Sequence, residues 1–321
     1  MVARTFRSSW PGFFLPAPLF LYLSPQAGRG KESSLNVAQP SLAIVSLRGV
    51  GKTFPNGVIA LRGATFSVRD HEFVSLLGPS GCGKSTALRI VAGLLEPTTG
   101  DVIWRNGDAP GGAMAISSEA SAGSREQNAP MQKGEIGFVF QEPTLMPWAS
   151  VAGNVHLPLK LAGIGRDAAM PRIRDALARV GLEAFENAYP RELSGGMKMR
   201  VSIARALVTQ PKLLLMDEPF AALDEITRFK LNNDLLALWA LMRQTAIFVT
   251  HSVFESVYLS SRIVVMTPRP GRVHSEIAVD APYPRTEAFR TSPEYAALCR
   301  KVSEALVDAM TQDDSAQDPA A

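Results

Sequence analysis

A chain of 321 residues, 46% hydrophobic and with a formal net charge of +3, has ample material for a buried core and no charge excess that calls for nucleic acid as a partner. Its two cysteines, Cys82 and Cys299, stand far apart, which argues against a disulfide framework and for a reducing compartment. Residues 1–41 place Arg4 and Arg7 before an apolar run from Phe13 to Leu23, in the manner of a signal peptide. Pro16 and Pro18 interrupt that run, and it is too short to span a bilayer as a helix. The expectation for 1–41 is a disordered extension, with no segment elsewhere that reads as a membrane span.

The folded part is expected over 42–310. From Leu42 the stretches LAIVSLRGVGKTF, VIALRGATFSV and FVSLLG read as strands separated by turn signals. Lys84 to Leu95 reads as a helix, with Leu88, Val91 and Leu95 on one face, and DVIWRNG follows as another strand. Residues 108–133 are rich in Gly, Ala and Ser without apolar periodicity, which predicts a flexible insertion. Order resumes with EIGFVF. A helical subdomain is expected over about 145–205, where Ile173, Ala176, Leu177 and Val180 repeat at helical spacing and Gly181 ends the turn. The apolar runs KLLLMDEP, TAIFVTH and RIVVMTP alternate with helical patterns, which predicts a mostly parallel sheet covered on both faces. A last helix is expected from Pro293 to Met310 with Ser292 as its cap, followed by a disordered tail over 311–321.

The chemistry begins with GPSGCGKST, Gly78 to Thr86, which fits the phosphate-loop pattern with Gly78, Gly83, Lys84 and Ser85 at its fixed positions. Glycines let backbone N–H groups of the loop, those of Ser80, Gly81 and Cys82 included, close around phosphate oxygens at the positive end of a helix, while Pro79, which has no N–H, helps to shape the loop around them. Lys84 supplies a point charge for the β- and γ-phosphates, and the Ser85 hydroxyl is a Mg²⁺ ligand. The loop follows a predicted strand and opens a predicted helix, the context that this motif requires. Cys82 is expected to pack as a small residue with a free backbone N–H. The strand LLLMD ends in two acids: Asp217 is placed to hold Mg²⁺, and Glu218 is a candidate general base for an attacking water.

With these motifs in order, the chain resembles the ATP-binding cassette (ABC) ATPases over roughly 42–307. The resemblance rests on GPSGCGKST, FQEPTLMPW, LSGGMKMR, LLLMDEPFAALD and VTH. It implies a P-loop NTPase core of α/β class with a mixed, mostly parallel sheet, an antiparallel β subdomain and a helical signature subdomain. It further implies that Phe54 stacks on adenine, that Gln141 contacts Mg²⁺ and water, and that Glu218 is the catalytic glutamate. His251 matches the switch histidine on the γ-phosphate. Ser194, Gly195, Gly196 and Asp224 would act on the ATP of another copy. Many importers of the family read LSGGMRQR; here Lys198 and Met199 depart from it, losing a planar guanidinium fork and an amide.

The resemblance implies a head-to-tail dimer around two ATP molecules with Mg²⁺, seated peripherally on the cytoplasmic face of the inner membrane. It would serve separate transmembrane permease subunits and, indirectly, a solute-binding protein. FQEPTLMPW, LSGGMKMRVSIARAL and VFESVYLSSRIVVMTPRPGRV most resemble the nitrate/sulfonate/taurine importer group. The competing class is a soluble ABC ATPase acting on ribosomes or DNA. A single phosphate loop and a short insertion without heptads speak against it.

Overall fold

The computed structural model describes residues 43–105, 113–117 and 135–314. The expectations for 1–41, for most of 108–133 and for the end of the tail lie outside these residues. β1 (Ala43–Thr53) and β2 (Ile59–Arg69) form an antiparallel pair, joined through a turn in which Gly57 N donates to Phe54 O and Phe54 N to Val58 O. β3 (Phe73–Leu77) runs into the phosphate loop and α1 (Lys84–Val91), and β4 (Thr99–Arg105) returns to pair with β1. The predicted helix to Leu95 thus stops at Val91; Gly93 follows in the left-handed region with φ 68°, which ends the helical hydrogen bonding.

β5 (Ala113–Ser117) pairs antiparallel with β4, so the insertion expected to be flexible over 108–133 contains a strand. Its AMAIS run is too short and too uniform to show period two, and what defines it is the free edge of β4. β6 (Ile136–Val139) enters the second sheet. The helical subdomain then follows as α2 (Val151–Leu161), α3 (Arg166–Arg179) and α4 (Gly195–Leu207). α2 is capped by the Ser150 hydroxyl accepting from Gly153 N, and it accommodates Pro158 inside.

The remaining elements are β7 (Leu213–Asp217), α5 (Glu225–Met242), β8 (Thr245–Thr250), α6 (Val253–Leu259), β9 (Arg262–Met266), β10 (Val273–Ala278), α7 (Glu287–Arg290) and α8 (Pro293–Asp314). The last helix runs to Asp314 rather than Met310, because TQDD contains no residue that breaks a helix. Ser292 caps it as expected, accepting from Tyr295 N.

Two sheets result. One is four-stranded and antiparallel, in the order β2-β1-β4-β5. The other is six-stranded, β10-β9-β3-β8-β7-β6, parallel except for β10 at its edge. Its central strands are buried on both faces, and alternate residues divide between two cores. Leu214, Met216, Ala246 and Phe248 join the helical side, whereas Leu213, Leu215, Ile247 and Val249 meet α1 and the antiparallel sheet. This is the P-loop NTPase architecture with its two lateral subdomains. The parallel strands deliver their C-terminal ends, and with them the polar residues, to one edge.

Candidate functional site

The phosphate loop occupies the β3–α1 crossing. Gly83 precedes α1 with φ 104°, and a Cβ there would lie 2.6 Å from Ala60 O, so only glycine fits between the loop and β2. Lys84 is 3% exposed, and its Nζ donates to Gly78 O at 2.8 Å and Pro79 O at 2.9 Å. Its remaining direction faces Glu218 Oε1 at 3.5 Å. A buried cation satisfied only by loop carbonyls and one carboxylate marks a place built to receive anionic oxygens.

Glu218 follows β7 in the left-handed region (φ 44°), with its N–H donated to Val249 O of β8. That backbone turns its side chain between two partners: Oε1 faces Lys84, and Oε2 lies 3.2 Å from Nδ1 of His251, which follows β8. Parallel register sets this pair, since Asp217 lies opposite Val249, two residues before His251. Asp217 accepts from the Ser85 hydroxyl at 2.7 Å. Burial pushes the Asp217 carboxyl above its ordinary value, against the opposing pull of the Ser85 hydrogen bond and of Arg89.

A cleft of about 140 Å³ is lined by Phe54, Gly81, Gly83, Lys84, Ser85, Thr86 and Glu218, all expected from the sequence. Phe54 is half-buried there rather than placed in the core. Pro79 accepts from both Lys84 and Cys82 N, Gly78 is buried, and Ser80 is exposed on the loop. The Cys82 N–H is therefore not free: it donates to Pro79 O at 3.3 Å, because the loop turns back on itself at that point. Its thiol is buried, and burial raises its pKa, so Cys82 packs as a small apolar residue.

Arg269 was not singled out in the sequence. It lines the same cleft and donates from Nε to Gly81 O at 3.0 Å. The TPRPG turn that carries it is joined to β2, with Gly271 N donating to Ala60 O and Arg62 N to Gly271 O. The only local signal was that proline-glycine turn; the contact with Gly81 is long-range.

Other expected site residues lie apart from this cleft. Gln141 is exposed, just past β6, and does not line it. The segment that follows is nonetheless fixed: Arg205 of α4 donates to Pro143 O and Thr144 O, and buried Asn154 of α2 holds Met146, Ala149 and Ser150. Ser194 and Gly195 are exposed at the head of α4, where the Ser194 hydroxyl caps the helix by accepting from Met197 N. Gly196 packs against α5, where a Cβ would come within 2.8 Å of Thr227 Cγ2. Asp224 caps α5 and is exposed; the Thr227 N–H donated to it holds its carboxyl below the usual range. Met199 is 2% exposed in the helical-side core, a position that suits an apolar side chain.

The Ser85 hydroxyl and the Asp217 carboxylate form a pair of hard oxygen donors beside the loop. That set suits Mg²⁺, which binds through one or two protein oxygens and completes its shell with water and phosphate. No group of three or more His, Cys, Asp or Glu able to hold a metal occurs among the described residues.

A phosphate loop, a paired Asp–Glu strand end and a histidine on the neighbouring strand define a nucleotide-hydrolysing cassette. The chain matches the ABC transporter family over residues 61–221. It is 44% identical over 253 residues to an ABC transporter ATP-binding protein of Methanocaldococcus jannaschii, covering 79% of this chain and 86% of that one. It is 41% identical over 262 residues to the aliphatic sulfonates import ATP-binding protein SsuB of Bacillus licheniformis, covering 80% and 92%. A dimeric post-hydrolysis structure of the ATP-binding cassette MJ0796, bound to ADP and Pi, superposes with a TM-score of 0.61 at 32% identity, over 74% of this chain and 99% of that one. The chain belongs to the ABC transporter family and is an ATP-binding ATPase subunit of it. Among the described residues no helix is long and apolar enough to cross a membrane.

Proposed function

We propose that two copies pair head to tail about a two-fold axis and enclose two ATP molecules. Each phosphate loop is then covered by Ser194, Gly195 and Gly196 of the other copy, and Asp224 crosses the interface. The observation that carries this reading is the split between the halves. Lys84 and Glu218 already line one cleft, with His251 held on Glu218, while Ser194, Gly195 and Asp224 stand exposed and contribute nothing to it. A dimeric relative bound to ADP and Pi supports it.

Phe54 stacks on the adenine, and the loop from Gly78 to Thr86 takes the phosphates. Arrival of the β- and γ-phosphates draws Lys84 Nζ away from its carbonyl partners and from Glu218, which frees that carboxylate to accept a proton from the attacking water. His251 keeps Glu218 oriented through the 3.2 Å contact and meets the γ-phosphate. Ser85, Asp217 and Gln141 would hold Mg²⁺. When bound, the cation offsets charge on the β- and γ-phosphate oxygens. ATP drives closure through its higher affinity for the closed pair, and loss of the γ-phosphate reopens it.

The work is solute import through separate permease subunits, at the cytoplasmic face of the inner membrane and fed by a solute-binding protein. The solute is nitrate, a sulfonate, taurine or a related small solute, and the importer relative named for aliphatic sulfonates supports the sulfonate among these. Purification of the Glu218→Gln chain with Mg²⁺ and ATP tests the dimer. An ATP-dependent doubling of mass on size exclusion is expected, and a monomer at saturating ATP overturns it. Uptake of labelled alkanesulfonate by vesicles carrying the co-purifying permease tests the solute.

A further inference from the structure

Two segments carry Glu218 and His251 into the site. One is the link of residues 218–224 between β7 and α5, which starts at Glu218 and ends at Asp224. The other is the turn between β8 and α6, which carries His251. They meet at the end of the sheet, where Glu218 N donates to Val249 O, and again at the 3.2 Å contact of Glu218 with His251. The His251 side chain is 48% exposed, so packing does little to fix its ring. Its position follows from the backbone of its turn.

Each segment is gripped by a side chain of the helix that follows it. Arg228, one turn into α5, reaches back with Nη2 to Ala221 O at 3.4 Å and Leu223 O at 2.9 Å. Glu255, in the first turn of α6, accepts from the Thr250 hydroxyl at 2.6 Å, and that hydroxyl in turn accepts from Ser252 N at 3.0 Å. The Ser252 hydroxyl accepts from Glu255 N, so both neighbours of His251 are bonded to Glu255. The two grips then face each other: Arg228 Nε and Glu255 Oε1 form an ion pair at 3.9 Å. Neither atom has a hydrogen-bond partner, so the ion pair is what answers their burial. The Glu255 side chain is 10% exposed, so this contact is screened less by solvent and salt than the one that His251 makes.

We infer that Arg228 and Glu255 are a positioning pair for ATP hydrolysis: their ion pair sets the spacing of the two segments and so holds His251 against Glu218. Neither residue lines the cleft of the phosphate loop, so neither is a catalytic residue. The pair acts through the Glu218–His251 contact, and the inference therefore rests on the reading of Glu218 as the general base. The two fail separately. If that reading fails, Glu218→Gln keeps turnover; if the inference alone fails, Glu218→Gln loses turnover and Glu255→Gln keeps it.

Glu255→Gln keeps an acceptor for the Thr250 hydroxyl and removes the charge; Arg228→Met removes the guanidinium. Each, in the full chain and checked for an unchanged circular dichroism spectrum, should lower kcat about 10- to 100-fold, the cost of misplacing a group by about 1 Å. ATP affinity, read with a fluorescent analogue, should stay unchanged. The double variant leaves no buried charge unpaired, so it should fold even where Arg228→Met alone does not. Its kcat should match that of Glu255→Gln, because the second change has no link left to cut. In the nucleotide-free protein the His251 ring nitrogen resonances, assigned by comparison with His251→Gln, should move in Glu255→Gln. A pair that only stabilised the fold would leave them in place. Three results overturn the inference: unchanged kcat in folded Glu255→Gln, a further loss in the double variant, or unmoved ring resonances.

Discussion

The phosphate-loop half of the site and the signature half are built on opposite plans. In the first, every charged group is answered within the chain: Lys84 by loop carbonyls and Glu218, Glu218 by His251, Asp217 by Ser85. In the second, Ser194 and Asp224 use their side chains only to cap their own helices and otherwise face solvent. A self-satisfied cradle and an unengaged cap fit the proposed site divided between two identical chains. One half must be stable alone, and the other must keep its surface open for a partner.

The comparison breaks first at Glu218. Glu218→Gln should lower kcat by about 10²–10⁴ while ATP still binds, the range for loss of a general base; steady-state phosphate release with a nucleotide titration checks it. Lys84→Ala should weaken ATP binding about 10- to 100-fold, as expected for losing charge-assisted hydrogen bonds. A fluorescent ATP analogue measures this. Mixing Ser194→Arg with Lys84→Ala chains sharpens the division itself: each heterodimer keeps no more than one competent site, and two would mean that each chain completes its own.

Two smaller effects concern the frame. Met199→Gln places an amide in the helical-side core and should cost about 1–3 kcal/mol, read as a lower midpoint in urea. Asp217→Asn should slightly raise the Tm of the nucleotide-free protein at neutral pH. The folded carboxyl titrates above its unfolded value, so ionising it as pH rises through that window costs stability, and asparagine has nothing to ionise. The gain should fade on acidification below the unfolded value; an equal gain at all pH would contradict the assignment.

The sequence disclosed most where burial is two-sided. β3, β7 and β8 are wholly buried and read as unbroken apolar runs. β10 was missed because it is an edge strand in which Ile277 alone is buried, leaving no apolar run to see. β5 was missed because its pairing with β4 is long-range and its own composition carries no period. In the site, residues belonging to contiguous motifs were legible; Arg269 was not, since its bond to Gly81 joins segments with no shared pattern.

The seam between the loop and β2 has a mechanical consequence. Ala60 O closes on Gly83, while Gly271 binds Ala60 and Arg62, and Arg269 reaches back to Gly81. The ring of Phe54 and the amine of Lys84 are thereby mounted on one frame of fixed span, a gauge for the distance from base to terminal phosphate. A nucleotide too short for that gauge would be held at one end only. We propose that any swivelling falls instead to α2, α3 and α4, which the Arg205 guanidinium straps to the Gln141 segment. Cutting that strap should leave ATP affinity intact and uncouple the lever from the gauge.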